Sequence, residues 1–154
     1  MKDRLSLLAA VVTLLALMQV VGWAQDKYVP SGDEELYGTW TNDKTFPPKI
    51  VMSPDGTTKQ YFPISSLKVF REGTVEIFKK WIGSDGSIYY YTLERLTSGA
   101  DKGRKTRFLW RVSESGKVLE MVWRPAGSTF DPDGMPTEID PKDSNYQVFA
   151  RSGS

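Results

Sequence analysis

The chain has 154 residues, 40% of them hydrophobic and 25% charged, a balance that suits one globular domain and excludes a disordered or fibrous chain. Twelve per cent aromatics with 13 Gly and 9 Pro favour short strands joined by tight turns, because aromatic rings suit a pleated, half-buried surface and Gly and Pro punctuate it. With 20 basic against 19 acidic residues and no basic block, the clustered cations that phosphate backbones require are missing, so nucleic acid is not an expected partner.

At the start of the chain, Lys2 and Arg4 precede an uncharged run from Leu5 to Val21, and Gly22-Trp23-Ala24 places small residues at the two positions a signal peptidase reads. Residues 1–24 are predicted to be a signal peptide removed before Gln25. The alternative is an uncleaved anchor, since about 20 apolar residues span a bilayer. Cleavage takes two bases and one acid, leaving 18 of each, so the mature part is formally neutral. There is no cysteine, hence no disulfide and no lipid-attachment site at the cleavage point. A soluble periplasmic or secreted product is expected, of a kind more typical of bacteria than of animals. Residues 25–35 are polar and unpatterned and read as a flexible N-terminal segment ahead of one domain over 36–154.

Short β-like runs follow at about 36–42, 49–53, 57–63, 74–83, 87–96, 105–113, 117–124 and 145–151, while Leu67–Phe70 fits a strand or a helical turn equally. The Pro54-Asp55-Gly56, Ser84-Asp85-Gly86 and Ser113–Gly116 segments are hairpin turns by composition, so successive strands should pair antiparallel. If Val112 faces Lys117, then Trp110 faces Leu119, Phe108 faces Met121 and Thr106 faces Trp123, with Arg107, Arg111, Glu120 and Arg124 on the opposite side. A two-residue Asp85-Gly86 turn would pair Trp81 with Tyr90 and Lys79 with Thr92. The inward face would then carry Lys79, Trp81, Tyr90 and Glu94, with the two charges as polar points within it. Eight sequential strands favour an all-β, antiparallel up-and-down barrel over a sandwich, with room for side chains or one small ligand.

Leu36-Tyr37-Gly38-Thr39-Trp40 resembles the opening strand of the lipocalin and calycin proteins, which carry Gly-x-Trp there. In that family the Trp closes one end of the barrel under an Arg or Lys from the last strand. The resemblance therefore implies structural closure by Gly38, Trp40 and Arg151, the last in Val148-Phe149-Ala150-Arg151. The strand order fits across the mature chain. A Thr-Asp-Tyr-type second motif is absent, as is any disulfide.

The residue inventory excludes several chemistries. Without His the usual neutral-pH base and the commonest metal ligand are missing, and without Cys there is neither a thiol nucleophile nor a structural zinc site. No nucleophile elbow, P-loop or dinucleotide fingerprint occurs, so no cofactor and no enzymatic activity are expected. The acidic segment 130–143 offers oxygen ligands, but Lys142 stands where a calcium loop needs Glu, and a turn-rich loop is the simpler reading; Phe130, Met135 and Ile139 could fold it over the barrel mouth. The remaining expectation is a small hydrophobic or aromatic ligand held by Lys79, Trp81, Tyr90, Glu94, Phe108, Trp110, Met121 and Trp123. The alternatives are an envelope interaction module with a filled core, using Tyr89 and Tyr91, and a lyase or isomerase on the same barrel.

Overall fold

The computed structural model describes residues 28–32, 34–126 and 135–153; residues 1–24, predicted from the sequence to be a signal peptide, lie outside them. Eight strands are found among these residues, and no helix: β1 (Gly38–Thr41), β2 (Lys49–Met52), β3 (Thr57–Tyr61), β4 (Val69–Ile82), β5 (Ile88–Leu96), β6 (Lys105–Val112), β7 (Val118–Pro125) and β8 (Tyr146–Arg151). Each pairs antiparallel with the next, and β8 returns to β1 through Trp40↔Arg151 and Thr41↔Ala150, so the barrel is closed. Closure matches the expected all-β barrel. The ambiguous Leu67–Phe70 stretch partly joins β4, which begins at Val69.

The strand order gives the barrel two unlike ends. The short β2–β3, β4–β5 and β6–β7 turns share one end; the longer connections 42–48, 62–68, 97–104 and 126–145 share the other. Trp40 plugs the short-turn end, fully buried, with its indole N–H donating to Leu36 O at 2.9 Å. The Arg151 guanidinium lies over the Trp40 ring with its carbon 4.3 Å from the centroid, and donates to the carbonyls of Gly116, Tyr37 and Glu35. Gly38 leaves space for this cap. A Cβ there would come within 2.7 Å of Arg151 Nη1. Gly38, Trp40 and Arg151 thus meet at one end of the barrel, where the last strand joins the first.

The N-terminal segment differs from the flexible tether expected. Glu34 and Leu36 are buried, and Lys80 Nζ reaches Glu34 at 2.7 Å and Glu35 at 3.0 Å. Burial alone would raise the Glu34 carboxyl. The bonds from Lys80, Tyr28 and the Ser31 N–H outweigh it and hold the group down at about 2. Composition hid this anchor because its partners, Lys80 and Tyr90, are more than 40 residues away in the chain.

Register explains the main departures from the sequence reading. In the β6–β7 hairpin Trp110 faces Met121 and Phe108 faces Trp123, two residues from the expected pairing. A two-residue shift keeps every side chain on its face, so Phe108, Trp110, Met121 and Trp123 still point inward. The β4–β5 connection is instead a five-residue turn, closed by Gly83 N–H to Ser87 O at 2.8 Å, and Trp81 pairs with Tyr89. That one-residue slip inverts the faces near the turn, and a bulge between Ile77 and Lys79 restores them farther along.

Candidate functional site

Lys79 and Trp81, expected inside, therefore lie on the outer wall, and Lys80 takes the inward place. Trp81 stacks on Tyr89 at 5.1 Å between centroids, and Lys79 Nζ sits 5.2 Å from the Trp81 ring. This outer aromatic group continues into Leu109 and Val122, both fully buried although they face away from the barrel interior. Met135 and Ile139 cover them, and Tyr91 donates to Pro136 O at 2.6 Å. Residues 135–145 are thus held against the outside of β5–β7, assisted by the Arg124–Asp143 ion pair, and Met135 and Ile139 do not cross the barrel mouth. Phe130, Asp131 and Asp133 lie outside the described residues, among which no cluster of acids is placed to hold a metal.

Tyr90 faces inward, as expected, but near the plugged end. Its hydroxyl donates to Glu35 at 2.5 Å with Glu34 at 3.2 Å, and burial together with these carboxylates raises its pKa. It belongs to the Glu34–Lys80 anchor and does not line the cavity described next.

Toward the long-loop end the interior opens into a cavity of about 280 Å³. One part of its wall is apolar. Phe108 and Trp110 stack with centroids 4.7 Å apart and planes 21° from parallel, beside Ile50, Met52, Met121 and Trp123. The Trp110 indole N–H is satisfied by Thr92 Oγ1 at 2.8 Å, so the ring is held in place by a bond directed away from the void.

The rest of the wall is polar. Glu94 on β5 is buried, and its Oε1 accepts from Thr58 Oγ1 at 2.7 Å and from Gln60 Nε2 at 3.1 Å. β4 separates β3 from β5, and only the absence of a side chain at Gly73 lets these groups meet: a Cβ there would lie 2.9 Å from Thr58 Oγ1, 3.0 Å from Arg95 O and 3.2 Å from Glu94 Cγ. Burial raises the Glu94 carboxyl above the usual range, although the bonds from Thr58 and Gln60 and the nearby Arg104 and Arg71 pull against it. In three residues that line the cavity one polar atom, Gln60 Oε1, Gln147 Oε1 and Arg71 Nε, is buried without a hydrogen-bond partner.

Arg71 and Arg104 mark the mouth. Both reach Asp101, at 2.6 and 3.3 Å, and Arg71 also covers the Phe46 and Phe70 rings. Phe46, Phe62 and Phe70 form an edge-to-face triangle at this rim and are each about half exposed, while Leu67 beside them is 94% exposed.

The chain matches no family model, no curated protein and no solved structure. Of the eight residues expected to hold a ligand, five line the cavity: Glu94, Phe108, Trp110, Met121 and Trp123. Thr58, Gln60, Thr106, Arg71 and Gln147 line it too and carry no apolar stripe that would have singled them out. Their signal is strand alternation alone, as in Thr57-Thr58-Lys59-Gln60, where the even positions are buried. Lys79 and Glu94, expected to share the interior, face opposite sides of the wall.

Proposed function

We propose that this chain is an exported, lipocalin-like protein that binds one small, largely apolar or aromatic molecule inside its barrel. The observation that carries this reading is the cavity of about 280 Å³ between the Phe108–Trp110 stack and the Glu94–Gln60–Thr58 group. Mostly apolar walls with a few fixed polar points are the ordinary composition of small-molecule sites, and this volume suits a single ring system. The Trp40–Arg151 plug supports the lipocalin-like assignment, and Leu5–Val21 followed by Gly22-Trp23-Ala24 supports export and cleavage after Ala24.

Calorimetric titration of the mature protein with phenethyl alcohol should give saturable one-to-one binding, and a Thr106→Phe variant of native circular dichroism should lose it. Absence of saturable binding by the wild type, with the alcohol and with amine and carboxylate probes of the same shape alike, would overturn the reading. A second reading, a non-catalytic envelope interaction module, draws support from the exposed rim of Phe46, Phe62, Leu67 and Phe70 rather than from Tyr89, which is buried.

A further inference from the structure

The polar wall carries information about ligand chemistry beyond the size and apolarity already described. Glu94 Oε1 is engaged by two donors, whereas Oε2 has only Gln60 Nε2 at 3.5 Å, beyond ordinary bonding distance. Because Gln60 Nε2 is turned toward Glu94, its own Oε1 is left buried and unpaired, and Gln147 Oε1 on β8 is in the same condition. These three oxygens accept hydrogen bonds; none can donate one while Glu94 is ionised and the amides keep this orientation. A buried carboxylate without a countercharge is costly, and a buried acceptor without a donor costs free energy of its own.

The cations nearby do not meet this demand. Arg71 is engaged through Nη2 with Asp101 and through its guanidinium face with Phe70 and Phe46, its buried Nε has no partner, and Arg104 shares the same aspartate at the mouth. Lys79 is on the outer wall and Lys80 is bound to Glu34 and Glu35 at the other end. Among the described residues, no cation of the chain forms an ion pair with Glu94.

We infer that the cavity is built for a small aryl amine, its ring against Phe108 and Trp123 and its protonated nitrogen donating to Glu94, Gln60 and Gln147. The inference rests on the proposed ligand-binding reading and adds the class of head group. An ammonium donates up to three hydrogen bonds and brings the charge that Glu94 lacks, whereas an alcohol brings one donor and no charge. A carboxylate brings a second anion toward Glu94.

Calorimetry with three probes of one shape distinguishes these cases: phenethylamine, phenethyl alcohol and 3-phenylpropionate, each titrated at pH 7.5 into the wild type and Glu94→Gln. The amine is expected to bind the wild type at least about tenfold more tightly than the alcohol, the strength of a charge-assisted bond over a neutral one, with the carboxylate weakest. Glu94→Gln should bring the amine to within about threefold of the alcohol when both are titrated into that same variant. Tightest binding of the carboxylate would assign the site to Arg71 and overturn the inference, as would equal affinities for amine and alcohol in the wild type. Either result leaves the ligand-binding reading standing. Failure of all three probes to bind would overturn both.

Discussion

Glu34 offers the sharpest stability test. Its side chain is fully buried, with Lys80 Nζ at 2.7 Å and further bonds from Tyr28 and Ser31, and its carboxyl is lowered from 4.5 to about 2. At about 1.4 kcal/mol for each tenfold change in proton affinity, that displacement contributes about 3 kcal/mol to folding at neutral pH. The folded pKa is depressed, so the contribution is fully present well above pH 4.5. It is lost as acidification carries the protein from there toward pH 2. By pH 3 about 2 kcal/mol should be gone. Urea denaturation of the wild type and Glu34→Gln at pH 7 and pH 3, at constant ionic strength, isolates the effect, because most other carboxyls titrate alike in both proteins. The stability gap between the two should narrow by about 2 kcal/mol on acidification. A gap unchanged within about 0.5 kcal/mol would refute the anchoring role, since a carboxyl that titrates normally in the folded protein gives no such linkage.

Trp40→Ala should cost about 3–5 kcal/mol in urea melts, because it removes a fully buried indole and the surface on which Arg151 rests. Gly73→Ala should destabilise by about 1–3 kcal/mol, the new methyl meeting Thr58, Glu94 and the rigid Arg95 carbonyl, and should weaken binding of a cavity probe. Met135→Ala should cost about 2 kcal/mol and increase proteolytic nicking between Ala126 and Ser144, yet leave probe affinity unchanged, because Met135 packs on the outer face of Leu109 and Val122.

The barrel was legible in the sequence because its signals are local. Turn segments rich in Gly, Asp and Ser punctuate runs of alternating residues, and Gly38-Thr39-Trp40 with Arg151 marks the closure. The inward set of β6 and β7 survived an incorrect pairing because the error was an even number of residues. The β4–β5 pairing erred by one, which sufficed to place Lys79 and Trp81 on the wrong side. A bulge at Phe78 leaves no compositional trace, since the residue is an ordinary strand former. Leu109 and Val122 stand in positions that a bare antiparallel wall would expose. They are apolar because a loop sewn on from beyond β7 covers them, a tertiary fact that period-two reading cannot supply. The polar half of the cavity was hidden for the opposite reason: Thr58, Gln60 and Thr106 resemble solvent-facing residues until the strands on either side of Gly73 are brought together.

The opposite poles of the barrel are under different constraints. Three terse hairpin turns and the Trp40 plug occupy one pole, so an insertion there would disturb the contacts that lock the first strand to the last. The other pole carries the roomy connections 42–48, 62–68 and 97–104, where doubling a loop's length adds only about 0.6 kcal/mol of closure entropy. One rim can therefore be lengthened or recoloured while the opposite pole keeps the chassis shut, which makes that rim the natural place to graft a binding specificity.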